Sequence, residues 1–186
     1  MISLKQFVPE SVCLFCDGCC RYAERDTVWA PLFLFVEIEE VTGKDILPSC
    51  LFSHPNVHGK KPARIDLIES KDGFVCPCLE IYPVRGKTSE TSDGCLRQPA
   101  SNGVKTNKCK IYQHRPLDCQ LYPFLLAAKG QDAFLGVDEK CPYVHKTLST
   151  PEVKEYIRYL KGFLSSKDFI RLARSNPEIV QPYTQD

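Results

Sequence analysis

Four cysteines near the start of the chain stand within eight positions, and their spacing is the strongest chemical signal in the sequence. Two residues separate Cys13 from Cys16 and Cys16 from Cys19, and Cys20 follows directly. A tight loop with this spacing can wrap three corners of a four-iron cubane, and Gly18 gives the backbone freedom for that wrap. The run therefore predicts thiolate ligands for a metal, with an iron–sulfur cluster as the first choice.

A four-iron cluster needs one more thiolate from elsewhere in the chain. Bacterial ferredoxins commonly place proline after such a ligand. Two cysteines have this form, in Cys76–Pro77 and in Cys141–Pro142. Either cysteine is therefore a candidate for the remote ligand.

Cys119 is a further candidate because of its predicted place on a helix. We expect Pro116 to occupy the first helical position, so that Cys119 lies in the first turn. Free amides and the helix dipole would lower the pKa of a thiol there and favour an anionic cluster. Tyr112 and Arg115 could hydrogen-bond to metal-bound sulfur, or they could only fix the turn into the helix.

Zinc is the main alternative metal, since pairs of cysteines two residues apart also occur in four-thiolate zinc sites. The total of 11 cysteines is odd and includes an adjacent pair, which suits metal ligation better than a framework of disulfides. Cys50, Cys78 and Cys95 are interpreted as small buried apolar residues. His54 and His58 lie near Pro55 and Gly59 and are interpreted as part of a surface loop.

Composition limits the remaining classes of function. Lysine and arginine total 24 against 23 acidic residues, so the net charge of +1 gives no general attraction for nucleic acids or anionic membranes. The longest apolar stretch, 31–36, is too short to cross a bilayer, and the first 11 residues do not resemble a signal peptide. We expect a cytoplasmic protein with no nucleic-acid or membrane partner.

Helix signals flank this cysteine-rich region. Leu34, Ile38 and Val41 predict a short helix that ends at Gly43, with Glu37, Glu39 and Glu40 on or near its solvated side. An apolar stripe from Val153 to Leu164 predicts a longer helix behind a start signal at 149–152, and a second short helix is expected over about 166–174.

Strand and loop signals fill the middle of the chain. Residues 63–68 and 74–76 are predicted to pair as a hairpin through the turn 71–73, which delivers Cys76 and Cys78. Residues 134–137 predict another strand, and 85–107 are predicted to form a long surface loop. The fold class is therefore α+β, a small irregular domain stapled by metal, with a cysteine-cluster domain over 1–145 and a helical extension over 146–186 packed on it.

Further motifs make the chain similar to a known family. They are Cys76-Pro-x-Leu79, Cys109-x-Ile111-Tyr112-x2-Arg115-Pro116-x2-Cys119, Tyr122-Pro123-Phe124 and Cys141-Pro142, behind the Cys13–Cys20 run. Together these motifs resemble the YkgJ-type cysteine-cluster family, described as zinc- or iron-chelating domains, over about 13–143. Gln120, Cys78 and the long segment between Leu79 and Cys109 depart from the family pattern, and the departure at Cys78 adds a possible ninth ligand.

The resemblance implies a ligand set and a range of functions. It marks eight cysteines as metal ligands: Cys13, Cys16, Cys19, Cys20, Cys76, Cys109, Cys119 and Cys141. Eight thiols could fill one four-iron site with a second site beside it, or two four-thiolate sites. Relatives include flagellin lysine N-methylases, so three functions stay open: a redox or protein-modifying iron–sulfur protein, a zinc-binding module without enzymatic activity, and a cluster-dependent lysine methylase. A protein partner or protein substrate is expected in these cases.

Overall fold

A computed structural model describes residues 4–13, 16, 18–25, 27–52, 61–84, 104–129 and 132–182. The fold class is confirmed as α+β, with short strands in small sheets and a helical C-terminal region. Cys95, His54 and His58, and most of the segment predicted to be a long loop, lie outside the described residues. Among the described residues, no helix is both long and apolar enough to cross a membrane.

Six α-helices are described. They are α1 (Glu10–Cys13), α2 (Phe35–Gly43), α3 (Leu117–Leu121), α4 (Pro142–Thr147), α5 (Pro151–Leu164) and α6 (Lys167–Ser175). The three helices predicted from periodicity are confirmed as α2, α5 and α6. Thr150 and Ser166 cap α5 and α6, because their side chains accept hydrogen bonds from the amides of Val153 and Phe169.

The strands pair in four small sheets across the described ranges. They are β1 (Arg21–Tyr22), β2 (Leu32–Phe33), β3 (Ala63–Arg64), β4 (Ile68–Ser70), β5 (Gly73–Val75), β6 (Leu79–Val84), β7 (Val104–Cys109), β8 (Phe124–Lys129), β9 (Asp132–Val137) and β10 (Gln181–Pro182). One sheet has the order β1-β5-β4, another has the order β10-β8-β9, and β2-β3 and β6-β7 are two-stranded.

The hairpin predicted before Cys76 forms over a shorter range than expected. Strands β4 and β5 pair around the turn at 71–72, whereas Ala63–Arg64 pairs with β2 instead. The strand predicted over 134–137 is confirmed within β9. The predicted loop over 85–107 extends too far. Residues 104–107 belong to β7, which pairs with β6.

Two further expectations are corrected by the packing of α2 and α3. Pro116 is the N-cap of α3, and Leu117 is its first helical residue. Glu37 was expected near solvent, yet it is 3% exposed. Its carboxylate accepts hydrogen bonds from the amides of Leu34 at 2.8 Å and Leu117 at 2.8 Å, so it satisfies amides at the starts of both helices.

Two apolar clusters form the core. The first joins the N-terminal residues Leu4 and Val8 to α3, β8 and the C-terminal helices, with Phe124 and Leu160 fully buried in it. The second joins α2 to the short strands of the first half of the chain around Phe33 and Ile65. The helices of the C-terminal region thus share a core with the N-terminus, while the boundary near residue 145 stays a prediction.

Candidate metal centre

All eight predicted ligands line one cavity of about 670 Å³. They come from separated parts of the chain, namely the N-terminal run, the turn after β5, the end of β7, α3 and the residue before α4. Cys78 lines the same cavity as a ninth cysteine. Val28 and Trp29, which are 50% and 44% exposed, line its outer part.

The N-terminal run is held by short turns. Helix α1 ends at Cys13, and the amide of Cys16 donates a hydrogen bond to the carbonyl of Cys13 at 3.2 Å. A 3₁₀ turn then spans Gly18–Cys20. A Cβ atom added to Gly18 would lie 3.8 Å from both Cys16 Sγ and the carbonyl oxygen of Lys140. The run therefore lies against the turn that precedes Cys141.

Backbone hydrogen bonds bring the second set of cysteines to this run. The amide of Cys76 donates to the carbonyl of Cys20 at 2.9 Å, directly beyond the pairing of β1 with β5. The amide of Lys110 donates to the carbonyl of Cys78 at 2.8 Å, and Leu79 is paired with Cys109. Sheet pairing therefore places Cys20, Cys76, Cys78 and Cys109 together.

Cys119 reaches the cavity from α3, which is anchored at its N-terminus. Asp118 accepts a hydrogen bond from the amide of Leu32 at 3.1 Å, and Leu117 donates to Glu37. The sequence predicts a lowered pKa for the Cys119 thiol, and this prediction is wrong. Burial and then the charge of Asp118 raise that pKa well above the ordinary value.

Two pairs of thiols share hydrogen bonds. The Sγ atoms of Cys19 and Cys20 are 3.9 Å apart, and their hydrogen bond lowers the pKa of Cys19 while it raises the pKa of Cys20. A hydrogen bond from Cys78 likewise lowers the pKa of Cys76 and raises that of Cys78. In each pair the hydrogen bond favours the thiolate, the form that binds metal, at one of the two sulfurs.

Arg115 supplies positive charge beside the cavity. Its guanidinium stacks 3.7 Å from the centre of the Tyr112 ring and donates hydrogen bonds to Gln6 Oε1 at 2.7 Å and to the Tyr112 carbonyl at 3.0 Å. Its charge acts to lower the pKa values of the Cys13, Cys19 and Cys109 thiols, although burial holds those of Cys13 and Cys109 at about 12 and about 11.

Gln120 stands where the family pattern commonly has arginine, and its contacts are structural. Its side chain accepts a hydrogen bond from the amide of Leu4 at 3.0 Å and donates to the carbonyl of Arg115 at 2.7 Å. It therefore ties the N-terminal segment to the loop before α3.

The residues that spacing alone did not single out are two tyrosines and Cys78. Tyr22 donates a hydrogen bond to the carbonyl of Cys19 at 2.7 Å. The buried hydroxyl of Tyr122 has no hydrogen-bond partner within the described residues. The Tyr-Pro-Phe motif at 122–124 was a signal for Tyr122, whereas nothing local indicated Tyr22. Cys50 is exposed and is not among the residues that line the cavity, so the prediction that it is buried is wrong. The prediction that Cys78 is buried is confirmed.

The donor set fits a thiolate-bound metal. Thiolates are soft ligands that select zinc, copper(I) and iron–sulfur clusters. The Tyr122 hydroxyl has no partner among the described residues, and Tyr122 lines the same cavity, so this hydroxyl is a donor available to metal-bound sulfur. Within the described ranges, no three Cys, His, Asp or Glu side chains converge at the spacing of a single ion.

Comparison with known proteins gives no family assignment. No protein-family profile matches the chain, and no solved structure matches it. A stretch of 68 residues is 29% identical to P2X purinoceptor 7 of Rattus norvegicus. That stretch is 35% of this chain and 11% of the receptor.

Proposed function

We propose that this protein binds metal through its cysteines, with an iron–sulfur cluster as the bound group, and that it belongs with the YkgJ-type cysteine-cluster proteins. The observation that carries the proposal is the convergence of all eight predicted ligands on one cavity. Nine cysteine side chains along a single cavity are far more than a buried apolar core of this size would gather by ordinary usage.

The residues around the cavity have distinct tasks in this proposal. Cys19 and Cys76, whose thiol pKa values are lowered, favour the thiolate form more than their neighbours Cys20 and Cys78, whose pKa values are raised. Arg115 offsets the negative charge that several thiolates bring together. A bound cluster would supply one-electron transfer, at a potential set by cluster charge, hydrogen bonds to sulfur and exposure.

The volume of the cavity leaves room for a cluster. A cavity of about 15 Å³ holds one water molecule, and this one measures about 670 Å³. A zinc ion in a four-thiolate site draws its sulfurs to about 2.3 Å from the metal and needs no comparable space.

Zinc is the second candidate, and one distance supports it. The 3.9 Å between Cys19 Sγ and Cys20 Sγ matches the separation of about 3.5 to 4 Å between thiolates on a tetrahedral zinc ion. In that case the metal contributes folding free energy, and the protein acts as a binding module.

Anaerobic purification followed by analysis of iron, zinc and acid-labile sulfide, together with an absorption spectrum, tests the proposal. An iron–sulfur protein is expected to be coloured and to contain iron and sulfide in equal amounts. Colourless protein with stoichiometric zinc and no sulfide would establish the second candidate instead, and protein that takes up neither metal would overturn both.

Location and partners follow from the same proposal. We propose a cytoplasmic location, because reducing conditions keep thiols available for metal. A protein partner or protein substrate stays a prediction.

A further inference from the structure

One face of the sheet β10-β8-β9 is turned to the cavity. Phe124 and Leu126 of β8 belong to the apolar core on one side of this sheet. Leu125 lies between them in the strand, so its side chain points to the opposite face, and Leu125 lines the cavity. Ala127 shares that face with Leu125, because alternate residues of a strand point the same way. Strand β8 therefore separates the core from the cavity.

Gln181 continues this face on the neighbouring strand. It is paired with Ala127 in the parallel register of β10 with β8, and it also lines the cavity. Gln181 is only 5% exposed, yet its Oε1 atom has no hydrogen-bond partner within the described residues. A buried acceptor without a partner is rare because it loses its bond to water and gains nothing in return. A molecule in the cavity that donates an N–H or O–H group would satisfy it.

The mouth of the cavity is apolar and well held. Val28 and Trp29 line it with about half of their surface exposed. Their turn is fixed by Thr27, whose hydroxyl accepts from the amide of Trp29 at 3.2 Å and whose carbonyl accepts from the amide of Ala30 at 3.2 Å. The guanidinium of Arg64 donates to the carbonyl of Ala30. The turn is thus anchored at several points, which prepares its two exposed side chains for contact with a ligand.

These parts of the lining carry no cysteine. The sequence has none in 27–31, in β8 or in β10, so none of the proposed metal ligands comes from them. The whole cavity measures about 670 Å³. Pockets that bind small organic molecules commonly measure about 300–1,000 Å³, and most have apolar walls with a few polar groups that orient the ligand. The part of the cavity around Gln181 and the Val28–Trp29 turn has this character.

The charges along the cavity favour an uncharged ligand. Among the described residues, the charged side chains of the lining are three basic and three acidic ones: Arg21, Arg115, Lys140, Glu24, Asp118 and Asp138. Two of the carboxylates are already engaged, since Asp118 accepts from the amide of Leu32 at 3.1 Å and Asp138 from the amide of Lys140 at 2.9 Å. Neither sign of charge prevails along the lining outside the thiols.

We propose that the cavity contains a binding site for a small, uncharged organic molecule with a flat apolar body and an N–H or O–H donor. The donor pairs with Gln181 Oε1, and the apolar body contacts Leu125 and Trp29. This site goes beyond the proposed metal binding, because none of these three residues is a proposed ligand. A molecule bound there shares the cavity with the thiols.

Indole and 1-methylindole are matched probes for this site. Both are flat and apolar, and only indole has an N–H group. Because only indole can pair the buried acceptor, wild-type protein is expected to bind indole about tenfold more tightly. A titration followed by ligand-observed NMR gives both dissociation constants. Equal binding of the two probes, tighter binding of 1-methylindole, or binding of neither would overturn the proposal.

Three variants locate the site. Gln181→Leu removes the unpaired acceptor, so it is expected to fold and to bind the two probes equally well. Trp29→Ala is expected to weaken both probes to a similar extent. Ile170→Ala changes an exposed apolar residue of α6 that does not line the cavity, and it should change neither affinity. A tenfold preference for indole that persists in Gln181→Leu would overturn the assignment of the donor to Gln181.

The metal content of the same samples separates this proposal from the proposed function. Selective binding of indole through Gln181 by protein that takes up no metal would overturn the metal proposal and support this site. A full metal load without selectivity between the probes would support the metal proposal and overturn this site.

Discussion

The amide of Cys76 donates a hydrogen bond to the carbonyl oxygen of Cys20 at 2.9 Å. These residues are far apart in the sequence, and the bond continues the pairing of β1 with β5 by one position. A ligand from the N-terminal run and a ligand after the central hairpin are thereby held on one wall of the cavity. The small sheet β1-β5-β4 is therefore the element on which the geometry of this wall of the cavity depends.

Gly73 is required by this sheet, and Gly73→Ala is expected to destabilise it. Gly73 has φ +119°, and a Cβ atom there would lie 2.6 Å from the Tyr22 carbonyl oxygen in β1. We expect the free energy of unfolding to fall by about 2 kcal/mol or more, since backbone strain of this kind costs about 1–3 kcal/mol. Urea unfolding and metal uptake should both show the loss.

Gly162→Ala is the matched control for that substitution. Gly162 lies in α5, and a Cβ atom there meets nothing within 4 Å. Alanine should therefore stabilise the protein by about 0.5–1 kcal/mol through its higher helix propensity. Equal effects of the two substitutions would contradict the role assigned to Gly73.

Tyr122→Phe is expected to stabilise the metal-free protein and to destabilise the metal-loaded protein. The hydroxyl has no partner among the described residues, so its removal should stabilise the metal-free form by about 1 kcal/mol. In the loaded form it should remove a hydrogen bond to metal-bound sulfur and so reduce the stabilisation that metal gives. Thermal unfolding with and without metal measures both effects.

Tyr22→Phe provides the contrast for Tyr122. The Tyr22 hydroxyl already donates to the Cys19 carbonyl at 2.7 Å, so its loss should destabilise both forms by about 1 kcal/mol. If Tyr122→Phe also destabilised the metal-free protein, the hydroxyl of Tyr122 would have a partner and the proposed role would be wrong.

Glu37 is expected to titrate near neutrality. Burial raises its pKa to about 7, against the opposing effect of hydrogen bonds from the amides of Leu34 and Leu117. Because the folded pKa lies above the unfolded value, the contribution of Glu37 to stability is complete below about pH 4.5 and falls as the pH rises through 7, by about 3 kcal/mol in all. A carbon-13 NMR titration of the Glu37 carboxyl, assigned with Glu37→Gln, gives the midpoint directly. A midpoint near 4.5 would refute this account of its burial.

Cys78→Ser distinguishes a ligand from a hydrogen-bond donor. If Cys78 only donates to Cys76, serine should preserve the full metal content, since a hydroxyl is also a donor. Cys76→Ser should instead lose bound metal. Equal losses from the two variants, measured by elemental analysis of folded protein, would make Cys78 a ninth ligand.

Elements with a strong local period were predictable from the sequence. The apolar stripe of α5 and the start signal before Pro151 locate that helix closely, and a turn signal locates the hairpin β4–β5. Strand β7 was not predictable, because Val104–Cys109 is mostly polar and becomes a strand only through its pairing with β6. The burial of Glu37 was not predictable for a similar reason. Its carboxylate accepts a hydrogen bond from the amide of Leu117, and that residue belongs to a helix far away in the sequence.

The candidate site also has features that the sequence predicts and features that it does not. The spacing of Cys13, Cys16 and Cys19 is local and could be recognised in the sequence, and proline marked Cys76 and Cys141. Which thiols lie together depends on sheet pairing and on the two clusters of the core, and neither leaves a local pattern.

X-ray absorption spectroscopy of the metal-loaded protein, at the iron edge and the zinc edge, is the most direct test of cysteine ligation in this cavity. The account predicts iron surrounded by sulfur, with further iron neighbours; if zinc is bound instead, four sulfurs are expected at about 2.3 Å. A first coordination sphere made mainly of oxygen or nitrogen would contradict it, because the metal would then be bound elsewhere than at the nine cysteines of the cavity.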